Sequence, residues 1–348
     1  MFPPTNRREF ISALGMGAAA LSLNGSPLMA SEAAVKPIAG SWFEFQHHAT
    51  EEGVDWNPQM ARFTAKQWEE KIGEMAEAGM EYLVLMATAV YYRSFYQSKI
   101  FRKWDLECPD PLEAVLAAAD KYGIKFFIGT GFYGNWVRED TIVDAVAMKR
   151  RLASMHEVLK IYGHHKSFYG WYWPDETGIG PRFSKEFIGY VNELSHEARQ
   201  LTPKAPIMIA PYGTRQAVAD DEYVRQLDSM DCDILAYQDE VGVRKSKTTE
   251  TAAFYAALRK AHDRSQRSKL WADVELFEFE GDTYGSALVP ASFERVRKQL
   301  EAVSPYVDKI LVYQYLGMMN KPGSRAMCGA PESTRLYSDY QAWRHKSR

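Results

Sequence analysis

The chain has 348 residues, 46% hydrophobic and 25% charged, with a formal net charge of −3. That balance excludes a disordered chain, and Lys and Arg scattered without a basic stripe argue against a nucleic-acid partner. Three cysteines, Cys108, Cys232 and Cys328, form no CxxC pair and leave one over if two were joined, which argues for structural thiols rather than a disulfide framework.

In chain order the first segment is an address rather than part of a fold. Asn6-Arg7-Arg8-Glu9-Phe10-Ile11 leads into an apolar run over 11–23 and then small residues near Ala30 and Ala33, the pattern of an export signal. As a helix that run would rise about 20 Å, short of a hydrocarbon core of about 30 Å, so no permanent membrane anchor is expected. The paired arginines resemble a twin-arginine signal, which implies the twin-arginine export machinery as a partner and a periplasmic or secreted bacterial protein. Residues 1–35 are therefore read as signal and short linker, and residues 36–348 as one catalytic domain.

Beyond residue 40, runs rich in β-branched and aromatic residues alternate with helical segments, as in βα units around a parallel sheet. Eight strands are expected: 41–48, 82–89, 124–130, 168–173, 206–212, 233–238, 270–277 and 309–315. Helix starts are marked by Thr64 and by Asp110-Pro111, and helix ends by Gly79 and Gly123 before the next strand. Eight such units predict an α/β fold, a single-domain (β/α)8 TIM barrel. The alternative, an open doubly wound sheet, is weakened because no glycine-rich dinucleotide fingerprint follows the first strand. The segments after strands two, three, four, six and eight are long and aromatic, as in Phe132-Tyr133-Gly134-Asn135-Trp136, which predicts that the site lies at the carboxyl ends of the strands.

Strand seven, Leu270-Trp271-Ala272-Asp273-Val274-Glu275, carries the strongest chemical signal. Alternation places Asp273 and Glu275 together on the face opposite Ala272 and Val274, hence inside the barrel, with Glu275 nearer the mouth. Strand four runs Trp171-Tyr172-Trp173-Pro174-Asp175-Glu176, and proline ends the ladder so that both acids open the following loop. Two carboxyl groups facing each other across a mouth are what glycoside hydrolysis needs, one protonating the leaving oxygen and the other attacking carbon or activating water. Trp171 and Trp173 are candidates to stack on sugar rings, and Trp136 and Asp175 are further substrate-binding candidates. Gln238 and Asp239 close strand six, while Glu240 reads as a solvated loop acid. Alternation along strand one places Glu44, Gln46 and His48 on one face and Phe43, Phe45 and His47 on the other; Gln46 and His48 join the substrate-binding set with Tyr212, Tyr313 and Gln314.

Adjacent strand residues point to opposite faces, so neither His47-His48 nor His164-His165 is expected to chelate one ion through both rings. A composite metal site from His48, Glu176, Asp239 and Glu275 is the second enzymatic possibility, a metal-dependent hydrolase or isomerase. A glycan-binding barrel without turnover is the third. The leading reading needs no cofactor and no metal, and no serine or cysteine nucleophile motif is present.

Gly40-Ser41-Trp42-Phe43 with Gln46, Gly170-Trp171-Tyr172 leading to Pro174 and Glu176, Tyr237-Gln238-Asp239 with Gly242, and Trp271-Ala272-Asp273-Val274-Glu275 with Phe277 together resemble the domain-of-unknown-function 4434 family, barrels related to glycoside hydrolases. The resemblance implies a carbohydrate substrate and, by similarity to retaining glycosidases, Glu176 as acid/base and Glu275 as nucleophile. Those relatives usually carry Asn before the strand-four Glu, where this chain has Asp175.

Overall fold

A computed structural model of the protein describes residues 35–134, 139–282 and 285–346. Residues 1–34, where the export signal is expected, and Trp136 lie outside the described residues.

The barrel is made by β1 (Ile38–Phe43), β2 (Tyr82–Leu85), β3 (Lys125–Gly129), β4 (Phe168–Tyr172), β5 (Ile207–Ile209), β6 (Ile234–Gln238), β7 (Lys269–Glu275) and β8 (Lys309–Tyr313). Every strand is parallel to its sequence neighbours, and β8 pairs with β1 to close the ring, Ser41 opposite Val312. This is the (β/α)8 barrel expected from the alternation of elements. The strands stop earlier than the apolar runs suggest, and aromatic residues just beyond them, Phe45 and Trp173, pack outward against the helices.

A helix follows each strand: α1 (Ala65–Glu77), α2 (Pro111–Tyr122), α3 (Ala145–Tyr162), α4 (Lys185–Leu201), α5 (Asp221–Ser229), α6 (Thr248–Ser265), α7 (Phe293–Val303) and α8 (Ser333–Lys346). The marked starts are used. The Thr64 hydroxyl accepts from the Gln67 N–H at 3.3 Å while Gln67 Oε1 accepts from the Thr64 N–H at 3.0 Å, satisfying two donors that the first turn of α1 leaves open. Asp110 does the same for the Glu113 N–H at 3.0 Å. Gly123 ends α2 at φ +72°, a left-handed conformation that costs an L side chain about 1 kcal/mol.

The barrel interior is layered. At its amino end Tyr82, Phe127, Tyr169 and Trp271 meet ring to ring, and Tyr82 and Trp271 touch at 5.1 Å although β2 and β7 are not neighbours. The ammonium groups of Lys125 and Lys309 lie over the Tyr82 ring at 5.2 and 5.1 Å, closing that end with cation–π contacts. One layer up, Trp42 of β1 meets Tyr172 of β4 edge to face at 5.9 Å. Among the described residues, no helix is long and apolar enough to cross a membrane.

Candidate active site

Beyond Tyr172, Pro174 has no N–H for the ladder, and Glu176 emerges half-buried at the mouth. Its carboxylate accepts hydrogen bonds from Tyr172 Oη at 3.2 Å and from Gln238 Nε2 at 2.8 Å. Gln238 ends β6, so Glu176 reaches across the top of β5. Gln238 lies in register with Asp273 on β7, and Glu275 stands one pleat closer to the mouth, opposite Tyr313.

Both β7 acids are buried. Burial and the negative charges of Glu275, Glu176 and Asp239 drive the Asp273 carboxyl well above its ordinary range, and its Oδ1 has no hydrogen-bond partner. Glu275 Oε2 accepts the Val243 N–H at 2.9 Å. Burial, followed by repulsion from Asp239, nevertheless raises Glu275 to about 8, with Arg295 only partly offsetting it. Burial and Asp239 together thus favour the protonated form of Glu275. The loop lies close enough to it that a Cβ on Gly242 would sit 2.9 Å from Glu275 Oε2 and 2.5 Å from the Phe277 carbonyl oxygen, so only glycine fits there.

The β1 side of the mouth is built differently. Phe43 and Phe45 pack outward on Trp68 at 5.5 and 5.3 Å, and Glu44 turns inward as expected. The strand then ends, alternation lapses, and His47 folds back instead of pointing away. Its Nδ1 lies 3.0 Å from Glu44 Oε1 and its Nε2 3.3 Å from Glu52 Oε2, and its ring is 4.7 Å from that of His48. The expected opposition of the two histidines is thus corrected by a bend in the backbone. Glu44 also accepts from Trp56 Nε1 at 3.1 Å and Gln314 Nε2 at 2.6 Å, and Tyr313 Oη is 3.1 Å from His47 Nδ1. Burial alone would raise Glu44, but the charge of His47 holds it below its ordinary value. Burial opposes the charge on His47 as well, yet Glu44 and Glu52 lift it to about 9. Glu44, His47 and His48 offer ligand atoms within 4.8 Å of one another. Because both nitrogens of His47 and both oxygens of Glu44 already face polar partners, the cluster fits an ion-pair network better than a metal centre.

Several expected site residues are placed elsewhere. Trp173 is fully buried with its face turned to α4, Nε1 donating to Ser195 Oγ at 3.2 Å, because it follows inward-facing Tyr172 and alternation sends it outward. Asp175 is buried against α3 and α4, paired with Arg151 Nη2 at 2.9 Å and accepting from Tyr190 Oη at 3.2 Å. Asp239 also points outward, accepting from Gln299 Nε2 of α7 at 2.7 Å and from the Glu275 N–H at 3.2 Å, and burial raises it to about 6. Its position removes the composite metal site. Glu240 is buried rather than solvated. Gln314 is buried and donates to Glu44, so it orients the network instead of reaching outward.

Gln46, His48, Tyr212, Gln238 and Tyr313 are half-buried around the opening. Tyr212 joins the loop after β4 through the Ile179 N–H, which donates to its carbonyl at 2.8 Å, and Lys245 covers its ring at 5.3 Å. Glu44, His47 and Asp273 were not among the expected site residues. Nor was Tyr91, exposed on the loop after β2, whose hydroxyl donates to the His48 carbonyl. That loop was legible as aromatic, but the reach of one tyrosine across to β1 was not.

Solved structures share this architecture. A candidate alpha-L-fucosidase from Bacteroides thetaiotaomicron matches with a TM-score of 0.71 at 19% identity, over 94% of this chain and 99% of that one. The endo-beta-1,4-mannanase from Thermotoga petrophila matches at 0.55 and 11% identity, over 89% and 77%. The beta-galactosidase from the psychrophilic Marinomonas ef1 matches at 0.56 and 9%, over 88% and 59%. At these identities the likeness is one of fold. No curated protein matches the sequence. The profile described as Domain of unknown function (DUF4434) does match, over residues 38–326, and the chain belongs to that family.

Proposed function

We propose that the barrel mouth hydrolyses a glycosidic bond in an oligo- or polysaccharide, with Glu176 and Glu275 as its two carboxyl groups. The observation that supports the reading is the bond from Gln238 of β6 to Glu176 after β4, with Gln238 in register with Asp273, two residues before Glu275 on β7. The glycosidases among the fold neighbours support the same class of reaction. Tyr91, Tyr212 and Tyr313 are the rings available for stacking.

Following the family resemblance, Glu176 gives the proton to the leaving oxygen and Glu275 attacks the anomeric carbon in a retaining reaction. A carboxyl separation of about 5 Å accompanies retention, and about 6.5 to 9.5 Å inversion. NMR of the first-formed anomer tests that half directly. A second reading exchanges the roles, and one observation favours it: Glu275 holds its proton to about pH 8, while two donors stabilise charge on Glu176. The profile of kcat/KM against pH separates them. Activity rising through pH 8 means that Glu275 must lose its proton, and activity falling there means that it must keep it.

Glu176→Gln and Glu275→Gln, assayed on an oligosaccharide array, test the pair, and full activity in either removes that residue. Glycan binding that survives both changes without turnover would make the protein a lectin-like barrel. The same proposal places it in the periplasm or medium after twin-arginine export; replacing Arg7 and Arg8 with Lys and fractionating the cells tests this.

A further inference from the structure

We propose that Glu113, His164 and His165 form a binding site for a divalent transition-metal ion of the zinc type, remote from the barrel mouth. Glu113 lies in the first turn of α2, and the two histidines form the turn from α3 into β4. That turn precedes β4, whereas Glu176 follows it. The three residues offer ligand atoms within 4.8 Å of one another, and the imidazole rings lie 4.2 Å apart, tilted by 35°.

His165 faces carboxylates through both ring nitrogens, as His47 does, and what distinguishes this cluster from the one on β1 is access: His164 is exposed and Glu113 half-buried, whereas Glu44 and His47 are buried. His165 Nδ1 is 2.8 Å from Asp120 Oδ2, and Asp120 is itself fixed by the Ser167 N–H at 2.6 Å. His164 Nδ1 faces the Ile161 carbonyl at 3.0 Å. A backbone carbonyl only accepts, so His164 carries its proton on Nδ1 and leaves the Nε2 lone pair available. A carboxylate on one ring nitrogen and a ligand on the other is the usual outer shell of a metal-bound histidine. His165 Nε2 lies 3.0 Å from Glu113 Oε2, close to the spacing of two donors on one ion. Two imidazoles and one carboxylate suit Zn2+ better than Mg2+ or Ca2+, and a water completes a tetrahedron. Bound there, the ion would join α2 to the α3–β4 turn.

Calorimetric titration of tag-free, full-length protein with zinc chloride, in a buffer that does not coordinate metal, tests the site. One equivalent should bind and raise Tm. Glu113→Gln and His164→Ala should each weaken binding at least tenfold. Asp120→Asn, which leaves the ligands in place, should weaken it roughly 10- to 100-fold. His164 is exposed, so its loss leaves packing intact, and circular dichroism checks the fold of each variant. Absence of stoichiometric binding overturns the proposal. So does affinity unchanged in both ligand variants, or lost only in His48→Ala, which would place the ion in the mouth.

Discussion

Glu44 and Glu275 are equally buried at the ends of the two strands that flank β8, yet they titrate in opposite directions. Glu44 has an imidazolium at 3.0 Å and is held as a carboxylate, whereas Glu275 has Asp239 beside it and is held as an acid. Burial is common to both, and the sign of the nearest charge decides. The β1 side is therefore an ion-pair network, and the β6–β7 side a set of mutually repelling acids, the side proposed here for proton exchange.

Breaking the reactive side should have the largest effect: Glu176→Gln and Glu275→Gln should each lower kcat by roughly 10²- to 10⁴-fold, with folding retained. Breaking the other side should appear as stability instead. Glu44→Gln strands a buried imidazolium and should cost roughly 3 to 5 kcal/mol in chemical denaturation; an unchanged midpoint would show that the network carries nothing. Acidity sharpens the contrast. Glu275 is raised from 4.5 to about 8, so its protonated form stabilises the fold and that contribution falls as pH climbs through this interval. His47 is raised from 6.5 to about 9, and its contribution is lost between those values. Tm should then fall from pH 5 to 9, and Glu275→Gln should flatten the lower part of the curve only. Asp273→Asn removes a like charge and should be neutral or stabilising by up to about 1 kcal/mol, the reverse of Glu44→Gln. Smallest of all, Tyr91→Ala should raise KM about three- to tenfold through lost ring contact, leaving kcat in place.

The barrel was legible because each strand and helix announces itself locally, in alternation, in the Thr64 and Asp110 caps and in Gly79 and Gly123. The inward direction of Asp273 and Glu275 followed from the same period of two. Where the chain leaves the strands that period lapses, and so did the reading. His47 was placed on the wrong face because the backbone bends after Phe43. Asp239 and Asp175 were assigned to the mouth although each answers to a helix residue, Gln299 or Arg151, distant in sequence. Trp173 could have been placed, since its neighbour Tyr172 faces inward. A pairing such as Arg151 with Asp175 depends on how α3 docks, which no local pattern records.

The plug of Tyr82, Phe127, Tyr169 and Trp271 beneath the acids makes the barrel a blind well. On the proposed hydrolase reading, traffic is one-sided: a leaving fragment must back out through the entrance that incoming water has to use. Widening that entrance should hasten product escape and admit solvent in the same stroke, so turnover and protection of an intermediate cannot be tuned independently in this architecture.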